Sequence, residues 1–132
     1  MCFGYRHSVA MEQPLLILAA QMQLTVDDPT AIRARMDDFL SRRKEKQPLE
    51  YPSGGSFFKR PEGHFAGALI EQCGLKGYTV GGAQVSEKHA GFVINRGGAS
   101  CADVMQLCRD VQQRVQDTYG VLLEREVQLI GE

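Results

Sequence analysis

A serine preceded by two glycines is the first place where this sequence could do chemistry. Gly54-Gly55-Ser56 lets the backbone come close to a ligand, with amides free to bond an anion or support a serine oxygen. It is not a P-loop, because no Gly-Lys-Ser/Thr follows at the required spacing, and it is not a Gly-x-Ser-x-Gly nucleophile elbow. The plainer reading is a flexible turn. Glu126, near the end of the chain, is a second candidate, since a carboxylate facing a cleft can move protons or hold charge. Glu124 has the same parity and an equal claim on pattern alone; the plainer reading of both is a solvated surface group. His7, His64 and His89 are scattered, with no partner at metal-ligand spacing, so no metal site is expected. His89 sits in a polar turn from which it could touch a ligand. Ser56, His64 and Glu126 are the loose ingredients of a hydrolase triad, without a spacing that supports one. The run Arg42-Arg43-Lys44-Glu45-Lys46 reads as a basic helix end that suits the helix dipole rather than as a phosphate site.

These residues need elements to hold them. Residues 15–24, apolar and closed by Asp27-Asp28-Pro29, read as a buried strand. Asp28 or Thr30 then caps a helix over about 29–45, with Ile32, Met36, Phe39 and Leu40 on one face. Residues 47–64 are rich in Pro, Gly and Ser and form a long irregular segment, uncommon in a compact domain without a functional reason; Phe57-Phe58 could pair briefly as a strand. A short helix over 65–73 stops at Gly74. Two strands over 78–86 and 91–95 flank a turn at Glu87-Lys88-His89-Ala90, and Gly81-Gly82 marks a bulge or a close backbone approach. Ser100, with Asp103 three residues on, starts a last helix with the stripe Val104, Leu107, Cys108, Val111, Val115 and Tyr119, ended by Gly120. Val121–Ile130 reads as a final strand. The fold class is α+β: a small mixed or antiparallel sheet with helices packed on it.

The composition narrows the function. A chain of 132 residues fits one compact domain, and 43% hydrophobic residues suffice for a core. A net charge of −1 argues against nucleic acid and against an anionic membrane as partners. The apolar run from Leu15 to Ala20 is too short to span a bilayer and lacks the features of a signal peptide. The four cysteines, Cys2, Cys73, Cys101 and Cys108, fit neither a zinc site nor a disulfide scaffold. They read as reduced, mostly buried thiols, and the protein as cytoplasmic. Residues and spacings alone reach a soluble α+β domain with one suspicious glycine-serine loop; they do not name a reaction.

Motifs in series go further. The stretch from Gln47 to Pro61 (QPLEYPSGGSFFKRP) and the stretch from Gly63 to Gly67 (GHFAG) resemble the signature loop of the UDP-N-acetylenolpyruvoylglucosamine reductase family. In the same order follow Gly74–Gly77 (GLKG), Gly81–Ala90 (GGAQVSEKHA), Asn95 and Gly120–Gly131 (GVLLEREVQLIG). Cys2–Ser8 (CFGYRHS) resembles a segment just ahead of that family's final domain. The resemblance covers nearly the whole chain, and the form lacking a longer insertion after the serine loop is the more similar.

The resemblance implies a flavoenzyme in which NADPH reduces FAD and the flavin passes hydride to the vinyl carbon of UDP-N-acetylglucosamine enolpyruvate. A proton then reaches the carbon beside the carboxylate, giving UDP-N-acetylmuramate. Charge accumulates on that carbon, so the site must stabilise and protonate it. The resemblance places the proton donor at Ser56 and the catalytic glutamate at Glu126 rather than Glu124. Tyr5, Lys46 and His89 match substrate-contacting positions; Arg60 stands where many members carry asparagine. The implied division is residues 1–26 as the tail of the flavin-binding region with a connecting strand, and residues 27–132 as the substrate-binding domain. The family's catalytic arginine and FAD-binding segments lie upstream of Cys2. The expectation is therefore a truncated product or fragment, inactive alone, with a non-catalytic UDP-sugar-binding module or an inert remnant as alternatives. Ser56 and Glu126 are expected to converge on one cleft.

Overall fold

The computed structural model describes residues 1–131, which divide into a first unit, Met1–Arg33, and a second from Ala34 onward. In the first unit Gly4 and His7 form an isolated antiparallel bridge, followed by a 3-10 turn at Val9–Met11. Residues 15–24, expected as a buried strand, form none: Leu16, Leu18 and Leu24 are each more than 80% exposed. An apolar run becomes a strand only when a neighbouring strand takes up its amides and carbonyls. No such ladder reaches these residues in the described chain.

Helix α1 spans Pro29–Lys46. The Asp28 carboxylate accepts a hydrogen bond from the Ala31 amide at 2.8 Å, so Asp28 rather than Thr30 supplies the cap, with Pro29 as the first helical residue. The helix buries no residue.

The second unit carries β1 (Ser53–Ser56), α2 (Ala66–Gln72), β2 (Thr79–Val80), β3 (Ala83–Val85), β4 (Phe92–Asn95) and α3 (Cys101–Tyr119). The strands form one antiparallel sheet in the order β1-β4-β3-β2. With the helices this is the expected α+β class. Along β3, Ala83 and Val85 are buried and Gln84 between them is half-exposed, the period-two pattern of a strand with one covered face. Along α3, Leu107, Cys108, Val111 and Val115 are fully buried at helical spacing. They pack in one core with Leu69 and Ile70 of α2, with Phe57, Phe58 and Leu75, and with Leu123 beyond α3.

Local chemistry fixes the ends of α3. The Ser100 hydroxyl accepts from the Asp103 amide at 3.2 Å, and the Asp103 carboxylate accepts from the Ser100 amide at 2.9 Å, a reciprocal capping box. Gly120 closes the helix. The Gly81-Gly82 pair is a tight two-residue turn joining β2 to β3 rather than a bulge. It is also a close approach: a Cβ on Gly82 would lie 2.4 Å from the Gly97 carbonyl oxygen, and one on Gly81 2.4 Å from the Asp103 carboxyl carbon. The cap of α3 therefore also seats the hairpin.

The segment after α3, expected as a strand, contributes among the described residues only one antiparallel bridge, between Arg125 and Phe58. Leu123 and Val127 pack inward, while Leu129 and Ile130 are exposed. The cysteines correct a second expectation. Cys108 is buried and Cys73 half-buried, but Cys2 and Cys101 are exposed, and all four are free. Cys101 opens α3 and lines an apolar hollow of about 180 Å³ instead of entering the core. No described helix is long and apolar enough to cross a membrane.

Candidate functional site

The serine loop is shaped by a bulge. Ser53 pairs with Ile94 and Ser56 with Phe92, so β1 spends one residue more than β4 between the two pairs. Gly55 lies within that interval at φ +83°, a conformation that favours glycine. Gly54 lies beneath Val127, whose methyl group would sit 3.4 Å from a Cβ at that position. The glycines thus serve the backbone path of Ser56 and the approach of the terminal segment. Ser56 itself is exposed; its hydroxyl donates a long 3.5 Å hydrogen bond to the Phe58 carbonyl.

Phe57 is the junction of the site. Its amide donates to the Gly91 carbonyl at 2.9 Å, and its carbonyl accepts from the Glu126 amide at 3.0 Å. The next residues continue the second link, with the Lys59 amide donating to the Glu124 carbonyl at 2.8 Å. Residues beside Ser56 are therefore bonded on one side to the turn that carries His89 and on the other to the segment that carries Glu126. Regular pleating would turn adjacent Ser56 and Glu126 to opposite faces. Here the pairing is a single bridge between the β1 bulge and a bend at Val127, so pleating alone does not set their directions.

Glu124 and Glu126, equivalent by parity, differ in the structure. The Glu124 carboxylate is ion-paired with Lys59, whereas Glu126 is half-buried. The terminal segment is anchored independently: the Gln112 side chain donates to the Leu123 carbonyl at 2.7 Å, and Leu123 is fully buried.

The turn carrying His89 is closed by several bonds. Ser86, 1% exposed, donates its amide to the Phe92 carbonyl at 2.9 Å and accepts on its hydroxyl from the amides of Lys88 and His89. The Phe92 amide returns to the His89 carbonyl at 3.0 Å. Lys88 connects this turn to the end of α1, donating to the Lys44 carbonyl at 2.7 Å with Glu50 3.5 Å away. Exposed Lys46 therefore belongs to a helix end tied to the His89 turn. The Arg60 guanidinium lies 4.0 Å from the centre of the exposed Phe65 ring, a cation–π contact at the entrance to α2. Tyr5 belongs to the first unit, where it is 66% exposed with the Arg6 guanidinium 5.8 Å from its ring. The structure thus ties the segments bearing Ser56, His89, Glu126 and Lys46 together by main-chain and lysine bonds.

The sequence reading missed the junction role of Phe57 and the turn-closing role of Ser86. Phe57-Phe58 was expected to pair briefly as a strand, and it does, but nothing local announces which segments the Phe57 amide and carbonyl will meet. A serine two and three residues ahead of a polar turn is a known signal for a side-chain-closed turn, so Ser86 could have been found.

Comparisons with known proteins agree with this architecture. The family model described as UDP-N-acetylenolpyruvoylglucosamine reductase, C-terminal domain, matches residues 47–130. The chain is 55% identical to the UDP-N-acetylenolpyruvoylglucosamine reductase of Agathobacter rectalis over 98% of its length, covering 41% of that protein. It is 52% identical to the reductase of Syntrophomonas wolfei over its full length, covering 44% of that relative. The crystal structure of the reductase from Thermus caldophilus superimposes with a TM-score of 0.63 at 37% identity, over 81% of this chain and 38% of that one. The chain thus spans less than half of the relatives it matches. By the motifs, the sheet order and these likenesses together, it belongs to the UDP-N-acetylenolpyruvoylglucosamine reductase family, of which it carries the C-terminal domain.

Proposed function

We propose that this chain supplies the substrate-holding and proton-donating part of a cytoplasmic, NADPH-driven reduction of UDP-N-acetylenolpyruvoylglucosamine to UDP-N-acetylmuramate, a step in making peptidoglycan precursors for cell-wall growth and division. One observation carries the reading. The two hydrogen bonds of Phe57 draw the Ser56 loop, the His89 turn and the Glu126 segment to one place.

FAD does not fit the residues described here. The N-terminus of α3, where a pyrophosphate would find free amides, is already filled by the Asp103 carboxylate. The sheet is antiparallel throughout and lacks the strand–helix–strand crevice of one common dinucleotide site. The flavin and the hydride donor are therefore assigned to sequence beyond these residues, and residues 1–26 to the edge of that flavin-binding region.

The roles left to this chain concern the substrate. Ser56 holds its hydroxyl proton toward the carbon beside the substrate carboxylate. A hydroxyl is a weak acid, but a carbanion-like carbon is a strong base, so position suffices. Glu126 steadies the proton transfer. Lys46, Arg60 and His89 contact the UDP-sugar; Tyr5 matches a substrate-contacting position of the family. A second reading, a UDP-sugar-binding module without chemistry, is favoured for the chain by itself because a flavin has no seat in it.

The test joins this chain to the flavin-binding part of a relative and compares the half-reactions. Ser56→Ala is expected to leave flavin reduction by NADPH unchanged and to slow product formation by about 100-fold or more, the range for loss of a positioned acid. Equal loss in both half-reactions, or in neither, refutes the proton-donor role.

A further inference from the structure

The proposed contact between His89 and the UDP-sugar requires a defined ring, and the surroundings of His89 define it. The Gly91 amide donates to His89 Nδ1 at 3.1 Å. A backbone amide can only donate, so Nδ1 accepts, and in the neutral ring the proton sits on Nε2. The Phe92 ring packs against the imidazole edge-on, 5.0 Å between centres and 69° between planes. On α2, the place of a Gly67 side chain is taken by the ring and the neighbouring turn: a Cβ there would lie 3.3 Å from His89 Cε1 and 3.3 Å from the Gly91 nitrogen. A Cβ on Gly91 would lie 3.0 Å from Cε1 and 3.2 Å from Nδ1. Neither glycine has a positive φ, so backbone conformation does not demand glycine at either position. What demands it is room for the imidazole at Gly91, and at Gly67 room for the imidazole and the Gly91 backbone together.

We infer that Gly67 and Gly91 are positioning residues, which leave His89 just enough space to stand as a neutral Nε2–H donor to the diphosphate oxygens of a nucleoside-diphosphate sugar. This rests on the reading of the chain as a UDP-sugar holder and adds to it the form in which His89 acts and the residues that impose that form. A neutral donor held by the protein meets the diphosphate with its direction already set, so less ordering is lost on binding. His89 is an exposed residue.

The test uses this chain with 15N-labelled histidine and long-range proton–nitrogen NMR, followed by titration with UDP-N-acetylglucosamine. The unliganded chain is expected to show His89 with a bare Nδ1 and a protonated Nε2. A proton on Nδ1, or a mixture of both forms, overturns the inference whatever the ligand does. Gly91→Ala is expected to blur that single form and to weaken UDP-N-acetylglucosamine roughly tenfold, the worth of one hydrogen bond to a charged acceptor. Gly67→Ala provides a second variant, because alanine suits helix α2 and still crowds Cε1. Unchanged α3 amide resonances certify that a variant is folded. If the wild-type chain binds the nucleotide sugar and both folded variants bind it equally well, the positioning role is wrong while the UDP-sugar reading survives. If the wild-type chain does not bind it, that reading falls and the inference with it.

Discussion

Helices α1 and α3 are nearly equal in length, 18 and 19 residues, yet they are held by different forces. α3 buries Leu107, Cys108, Val111 and Val115 against the sheet and α2, and it closes its N-terminus with a capping box. α1 buries nothing: Met36 is 58% exposed, Phe39 63% and Leu40 47%. Its supports include the Asp28 cap, the Asp38–Arg42 pair one turn apart, basic residues in the last turn and the bond from Lys88 to the Lys44 carbonyl. An apolar stripe in sequence therefore shows what a helix is able to bury. Burial itself needs a second surface, and most helical stability in proteins comes from that surface.

Core truncation is the strongest test of this contrast. Leu107→Ala should destabilise the second unit by about 3 kcal/mol, the usual cost of emptying a buried leucine site. The same deletion on α1, Leu40→Ala, should stay within about 0.5 kcal/mol, as for exposed positions generally. Urea denaturation of both variants measures the pair, and a comparable loss in each would erase the distinction. A smaller effect is expected at the caps. Ser100→Ala should cost about 1 kcal/mol through the lost bond to the Asp103 amide. The smallest is an acid dependence. Bonds from the Ser100 amide and hydroxyl hold the Asp103 carboxyl below its ordinary range. A depressed acid contributes stability above its unfolded pKa and loses it as pH falls through the folded value. The wild-type chain should therefore lose stability in acid, and Asp103→Ala should show a shallower acid slope in denaturation midpoints taken from neutral to acidic pH.

The same division explains what could be read from the sequence. Ser100, Asp103, Gly74 and Gly120 act on their own neighbours, so the ends of α2 and α3 were legible. Residues 78–86 were read as one strand, with Gly81-Gly82 as a bulge or close approach; the close approach is there, but the pair turns the chain into a hairpin. Residues 15–24 were misread because an apolar run carries no information about whether a strand will lie beside it. Cys2 and Cys101 were misread because the usual burial of cysteine says nothing of where a particular one stands. In the candidate site, Ser56, Glu126, Lys46 and His89 were named from motifs, and their segments do come together. Periodicity left Glu124 and Glu126 equal; in the structure Glu124 is exposed and paired with Lys59, and Glu126 is half-buried. The Phe57 junction stayed hidden, since its partners lie in the middle and at the end of the chain.

That junction has a consequence for how the protein matures. Because one residue's amide and carbonyl clasp two stretches made much later in synthesis, the site has no early, partial form. A nascent chain stalled before Glu124 would possess the sheet and both packed helices and yet leave the Phe57 carbonyl without its partner. Contacts between such distant parts form slowly and cooperatively, so the Phe57 junction should close in a single late step, together with the docking of the segment after α3.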